Sequence, residues 1–275
     1  MEFRNELAIW VFHLKRGGGH AVVNWIARNL DREVFHLNNA FSKPLKARWR
    51  GEKIFRRITD PDRFGGPGQR VYNLELPPGA SWREVARMPK DVLITNVENF
   101  PLHKIPGEPL LVSGADRLIG SSRRRLTVLV LRDAFNTFAS VAHGKRRMRS
   151  RLHRFYTQKW KVSAREFLRE TAFLPPDTVM VNFNAWFADP GYRRETAGRL
   201  GLDHVDRGID EVSSDGGGSS FTGRDFHNRG RDMKVLERWR HFVEDPAYRA
   251  ALDAETIELS NRIFGDVTEG EIRAE

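Results

Sequence analysis

The chain of 275 residues contains no cysteine. That excludes disulfides, thiolate metal sites and cysteine nucleophiles, and it accords with a reducing compartment. Nor does any run reach the roughly 18 apolar residues of a membrane helix. The N-terminal stretch MEFRNELAIWVFHLKRGGGH is apolar only briefly and holds His13. It continues into a basic, Gly-rich segment without a small-residue cleavage site, so it does not read as a secretory leader. A cytoplasmic location is the expectation. The triphosphate signature GxxxxGKS or GxxxxGKT is missing too, and with it the hydroxyl that holds magnesium. No internal repeat is visible.

What remains is a basic, folding sequence. Lys and Arg number 46 against 36 Asp and Glu, a net charge of +10, and 40% of residues are apolar. Disorder would need fewer large apolar side chains. A chain of this length buries about 70% or more of its unfolded surface and needs no staples. Short apolar runs at residues 7–14, 92–95, 126–131 and 178–183 read as strands covered on both faces. Helical spacing separates them. Val22, Ile26 and Leu30 fall four apart beside Trp25, and Phe135, Phe138, Ala139 and Ala142 follow the third run. Asp189-Pro190 opens a helix that stops at Gly201, and Asp245-Pro246 opens a last one ending near Gly265. Strands alternating with helices predict an α/β fold, three layers around a mostly parallel sheet. One domain over residues 1–275 is expected, with loops near 60–70 and 213–220.

Two segments carry chemistry. In WVFHLKRGGGHAVVNWIARNL a strand, a Gly-rich turn and a helix follow one another. Three glycines admit a close backbone approach, and amides at a helix N-terminus favour an anion. Lys15 and Arg16 stand beside that turn. The same residues would also make a tight connection with solvated basic side chains. In LTVLVLRDAFNTFAS a buried strand delivers Arg132 at its carboxyl end, and Ser140 follows eight residues later. Ligands of open α/β sheets sit beyond carboxyl strand ends, so Arg132 can meet the ligand of the first turn. Its planar fork suits phosphate oxygens, and Ser140 adds a short hydroxyl.

Here the chain resembles the sulfotransferases that use 3′-phosphoadenosine 5′-phosphosulfate, over roughly residues 8–265. Their N-terminal strand-loop-helix, written PKSGTTW or with RSG, corresponds to Arg16-Gly17-Gly18-Gly19-His20. Their Arg and Ser spaced by eight correspond to Arg132 and Ser140. Phe183-Asn184, Asp189-Pro190 and Leu200-Gly201 resemble the family's strand, linker and helix ending in LG. Ser219-Ser220-Phe221 and Arg229-Gly230 resemble its late cofactor-contacting loops, and Trp239-Arg240 also suits it. The resemblance implies a sulfotransferase of P-loop-like architecture with that nucleotide as cofactor, adenosine 3′,5′-bisphosphate as product, and no metal. Lys15, Arg16, Gly17, Gly18, Gly19 and His20 would hold the phosphosulfate. Arg132 and Ser140 would hold the 3′-phosphate, with Ser220, Phe221, Arg229 and Gly230 contributing from the late loops. Arg16 and the amides of Gly17 to His20 would stabilise charge on the leaving oxygen.

The sequence departs from the family at the first turn, where Gly and His replace the Ser/Thr pair and His20 is the substitute donor. The segment KTHLP with its catalytic His is not visible. Glu98 in DVLITNVENFPLHK, at the end of a buried strand, is the candidate base, with His20 and His103 as the other bases to test. The competing structural readings are plain ones: Glu98 as a loop carboxylate, Asn24 as a cap or solvent-facing residue, Trp25 as core, and Phe221 as a packing anchor rather than an adenine platform.

Residues 145–154, KRRMRSRLHR, together with Arg123 to Arg125, form a basic rim that could steer a charged cofactor or an acidic glycan, or simply face solvent. No zinc finger, RNA-recognition signature or aromatic strand pattern indicates a nucleic-acid module. The acceptor is expected to be a hydroxyl of a small molecule or glycan, tilted toward anionic ones by the net charge. Other readings are a nucleotide-dependent kinase of related architecture, a non-enzymatic polyanion-binding protein, and a catalytically weakened family member.

Overall fold

Each apolar run lies within a strand or extends no more than one residue beyond either end of it. A computed structural model describes residues 3–38, 56–57, 71–75, 87–106, 116, 120–144, 152–203, 205–212 and 218–273. Within them, β1 (Asn5–His13), β5 (Lys90–Glu98), β6 (Ser122–Leu131) and β7 (Val179–Asn182) carry the four runs. They are joined by β2 (Val34–Asn38), β3 (Arg56–Arg57) and β4 (Val71–Glu75). The sheet order is β3-β4-β2-β5-β1-β6-β7. All pairings are parallel except the antiparallel edge pair β3–β4. This is the expected mostly parallel α/β sheet. The 60–70 loop, residues 145–151 of the basic rim and residues 213–217 lie outside the described residues.

Alternation along β1 builds the two outer layers. Leu7, Ile9 and Val11 point to one face, where Val22, Trp25 and Ile26 of α1 (Gly19–Arg28) cover them. Phe183 and Trp186 of α4 (Phe183–Ala188) and Ala197 and Leu200 of α5 (Pro190–Leu200) continue that layer. Ala8, Trp10 and Phe12 point to the opposite face, against Phe100, Leu102 and Val162 of α3 (Thr157–Phe167). A third cluster packs α2 (Ala134–Ala142) against α3 and α7 (Ala254–Phe264) around Phe138, Trp160 and Tyr248. A fully buried large apolar side chain contributes about 1.5–3 kcal/mol. Val22, Trp25 and Ile26 are all fully buried, so packing rather than propensity holds α1.

Three local expectations change. Residues 183–188 are helix, not linker: the Asn182 side chain accepts from the Ala185 amide and starts α4 one residue after β7 ends. The terminal helix is two helices, α6 (Pro246–Arg249) and α7. Asp253 interrupts them because its carboxylate caps α7 through the Thr256 amide and hydroxyl. Asn24 neither caps nor faces solvent; it is buried on α1. Trp25 does fill the core, edge-on to Trp186 with its indole N–H on Asp206. No helix among the described residues is long and apolar enough to cross a membrane.

The topology sets the place of a site. From β1 the chain leaves toward β2 on one side, and from the adjacent β6 it leaves toward β7 on the other. The crevice between their carboxyl ends is the switch point at which doubly wound sheets receive ligands.

Candidate functional site

The turn after β1 is shaped by its neighbours as much as by its own residues. The Gly17 amide closes onto the Leu14 carbonyl at 2.9 Å. Arg16 and Gly18 both take left-handed backbone, with φ of 67° and 81°. A Cβ on Gly18 would lie 2.1 Å from the Phe183 ring, and one on Gly19 would lie 2.1 Å from the His13 ring. The glycines therefore serve packing against two aromatic rings, in addition to any close approach by a ligand. Gly18 is the N-cap of α1, with no side-chain cap and no acidic residue in the first turn. The positive end of that helix is thus left uncompensated by its own residues. Asn99 braces the turn from β5: its side-chain oxygen accepts from the Lys15 amide at 3.0 Å, and its own amide donates to the His13 carbonyl. Asn99 tolerates the φ of 59° this needs.

Across the crevice stands Arg132, only 2% exposed. It donates to Ser140 Oγ at 3.2 Å, to the Arg16 carbonyl at 3.4 Å and to the Val235 carbonyl. Asp133 caps α2 by accepting from the Asn136 amide at 2.7 Å, which fixes the turn that aims Arg132 and Ser140 at each other. The Ser140 hydroxyl donates to the Asn136 carbonyl and accepts from a second arginine, Arg238, at 3.1 Å. Arg238 also donates to Ser219 Oγ at 2.9 Å and lies 4.9 Å from the Phe221 ring centre. The 3₁₀ segment Val235–Phe242 that carries Arg238 is tied to α2 by Asn136, which donates to the Leu236 carbonyl and accepts from the Trp239 amide.

Three guanidinium groups therefore meet with no carboxylate partner among the described residues. Burial, then the charges of Arg132 and Arg16, push Arg238 below the usual arginine range. Burial also pushes Arg132 down, only partly offset by Asp133. His143 is lowered by burial and by Arg238, His241 and Arg16. Guanidinium groups keep their protons in neutral water, so these shifts express desolvation and mutual repulsion. The Nε of Arg16, the Nε of Arg132 and the Ser220 hydroxyl are buried and have no hydrogen-bond partner among the described residues. Arg193 shows the opposite arrangement. It is 1% exposed, holds Asp206 with two nitrogens at 2.6 and 2.7 Å, and donates to the Trp186 carbonyl. Buried charge normally comes paired. Chemically, the Arg16–Arg132–Arg238 cluster is able to receive an anion.

The remaining residues divide. Glu98 ends β5, half-buried and in register with His13 of β1, so it stands at the same edge. His20, in the first turn of α1, meets Asn96 at 3.4 Å and the His13 ring edge-on. His103 is exposed on a 3₁₀ turn, edge-on to Phe173. Phe221 stacks on His143 with ring centres 4.1 Å apart, so it anchors Arg238 and the Ser219 turn. Arg229 is exposed over Phe226. Gly230 gives its amide to the Asp210 carbonyl, and a Cβ there would lie 2.8 Å from the Ile209 carbonyl oxygen. Arg238, further along that segment, is the cation that reaches the cluster. Sequence reasoning missed it, together with Asn96, Asn99 and Asn136. Its only signal was the neighbouring Trp239-Arg240.

No protein-family model matches the chain, and no curated protein matches it. Among solved structures it is similar to the sulfotransferase domain of the Synechococcus PCC 7002 olefin synthase. Identity is 14%, 95% of each chain is covered, and the TM-score is 0.49.

Proposed function

We propose that the protein is a sulfotransferase that takes a sulfuryl group from 3′-phosphoadenosine 5′-phosphosulfate to an acceptor hydroxyl of a small molecule or glycan. The observation that carries this reading is the cluster of Arg132, Ser140, Arg238 and Arg16 at the switch point, whose guanidinium groups form no ion pair among the described residues. A site with three cations and buried unpaired donors matches a ligand bearing two separate oxyanion groups. Arg132, Ser140 and Arg238 would hold the 3′-phosphate; the Gly17 to His20 turn, with Lys15 and Arg16, would hold the 5′-phosphosulfate. The bound nucleotide supplies the activated sulfuryl group.

The chain's own residues do the rest. Arg16 and the first-turn amides neutralise charge that grows on the phosphate side of the transferred group. Glu98, at the same edge, takes the acceptor hydroxyl proton onto its carboxylate. Ser140 keeps two guanidinium groups apart at a fixed spacing, which favours a 3′-phosphate over the plain hydroxyl of AMP or ATP. An anionic acceptor agrees with the net charge of +10.

Isothermal titration with adenosine 3′,5′-bisphosphate, ATP and AMP in chelator tests this on wild type and Arg132→Ala. The expected result is bisphosphate binding, at least tenfold tighter than AMP, that the substitution removes. Equal affinity for the bisphosphate and AMP would sink the assignment.

A further inference from the structure

Two lysines stand two residues apart on α3, and their surroundings are opposite. Lys161 is held by Asp253 at 2.7 Å and by Glu255 at 2.8 Å. Against the cost of burial, these hydrogen-bonded carboxylates raise it above the usual lysine value. Lys159 forms no ion pair among the described residues. It is half-buried, donates to the Asn99 carbonyl oxygen and lies 4.7 Å from the centre of the Phe155 ring. The charge that acts on it is a second cation, Lys104, exposed at the end of the 3₁₀ turn Leu102–Lys104. Burial, then that repulsion, push Lys159 down to about 8. A cation that gives up hydration for a carbonyl, a ring face and a like charge is short of a counter-charge.

The place of Lys159 says what brings that counter-charge. The carbonyl it grips belongs to Asn99, which follows Glu98 and braces the Gly-rich turn through the Lys15 amide. An anion there stands at the edge where the acceptor gives up its proton. It is also separate from the anions of the nucleotide: Arg132 and Arg16 act on Arg238, whereas none of the three is among the charges acting on Lys159. The Phe155 ring under the ammonium is exposed, and an aromatic face packs against the apolar face of another ring. We propose that Lys159 is a specificity-determining residue: with Lys104 and Phe155 it forms an acceptor subsite for a carboxylate carried on a ring. The role of that acid as acceptor rests on the sulfotransferase reading; the acid site itself does not.

Titration calorimetry of the full chain with 4-nitrophenyl β-glucuronide and 4-nitrophenyl β-glucoside reads the subsite without a nucleotide. The two probes differ only in a carboxylate for a hydroxymethyl group. At pH 7 the glucuronide is expected to bind roughly tenfold tighter than the glucoside. Lys159→Gln keeps a donor for the Asn99 carbonyl but carries no charge, and it should abolish the preference; Lys159→Arg should retain it. In the wild type the preference should fade as pH rises from 7 to 9, because the Lys159 ammonium loses its proton in that range. In Lys159→Arg it should persist, since a guanidinium stays charged. Ordinary exposed lysines titrate at about 10.4 and would leave the preference level. No preference for the glucuronide in the wild type, or one unchanged in Lys159→Gln, overturns the proposal. Adenosine 3′,5′-bisphosphate on the same variants gives the second arm, with wild-type affinity expected in Lys159→Gln. A loss there equal to the loss for the glucuronide would mean that Lys159 acts through Asn99 on the turn, and it overturns the acceptor role. A wild type that prefers the glucuronide through Lys159 yet ignores the bisphosphate removes the sulfotransferase reading and leaves the acid site standing.

Discussion

At the scale of single residues, the informative contrast is between two kinds of buried arginine. Arg193 is matched to Asp206 atom for atom. Arg132 and Arg238 share the Ser140 hydroxyl, Arg132 adds the Arg16 and Val235 carbonyl oxygens and Arg238 the Ser219 hydroxyl, and the two guanidinium groups repel each other. A fold selected only for stability would remove one of those charges, because an unpaired buried cation loses its hydration without recovering a counter-charge. Removing Arg238 should therefore separate binding from stability. In Arg238→Met we expect bisphosphate affinity to fall about 10–100-fold, the loss of charge-assisted hydrogen bonds at about 1.5–3 kcal/mol. The melting midpoint of the ligand-free protein should stay level or rise, because repulsion is relieved while two hydrogen bonds to serine are lost. Titration calorimetry and a thermal melt on the same preparation decide it. Wild-type affinity in the variant would exclude Arg238 from the site.

At the scale of elements, the strand-turn-helix units do the positioning. The turn after β1 is set by its contacts with Phe183, on a distant stretch of chain, and with His13, the last residue of the strand. Gly18→Ala would drive a Cβ into the Phe183 ring at a φ of 81°. Overpacking costs about 1–3 kcal/mol and left-handed backbone about 1–2 kcal/mol for a non-glycine residue. We expect a loss of about 2–4 kcal/mol, read from urea denaturation; a loss below about 0.5 kcal/mol would mean that the turn is not packed as described. The same elements show what a sequence reveals. Apolar runs between polar ends marked β1, β5, β6 and β7, because strands buried on both faces have no alternation to confuse. Arg132 and Ser140 could be paired on paper, because both belong to one strand-turn-helix and local geometry brings them together. Arg238 could not. Its place depends on Asn136, about a hundred residues earlier, which holds the Val235–Phe242 segment against α2. Asn96 and Asn99 were equally silent, since an asparagine in or beside a strand has no sequence signature until its cross-strand neighbours are known. The split between α6 and α7 was hidden because Asp253 reads as one more polar residue on a helix until Thr256 is seen to bind it.

At the scale of the whole molecule, the ion pairs of the described residues lie away from the arginine cluster. Asp206 goes to Arg193, Glu211 to Arg28, and Asp253 with Glu255 to Lys161. Exposed pairs such as Arg123–Glu6 and Arg240–Glu271 add little, because exposed ion pairs contribute about 0–1 kcal/mol. On the proposed function a ligand neutralises the guanidinium groups of Arg16, Arg132 and Arg238, so ligand and fold should be linked through mass action. At a bisphosphate concentration of a hundred times Kd the native state gains about 2.7 kcal/mol, roughly 5–10 °C in melting midpoint for a chain of this size. Arg193→Leu is the counter-experiment to Arg238→Met. It removes the two-nitrogen grip on the Asp206 carboxylate, which also accepts from the Trp25 indole N–H, and breaking a buried pair from one side costs about 3–5 kcal/mol. Its ligand-free midpoint should fall by about 6–12 °C or more, yet the bisphosphate should raise that midpoint as much as it raises the wild type's. In Arg238→Met the pattern inverts: the midpoint is held and the ligand-induced rise is lost. A rise lost in Arg193→Leu, or kept in Arg238→Met, would show that the two arginines do not divide structure and binding between them, and that the unpaired charge at the switch point is not where the anion goes.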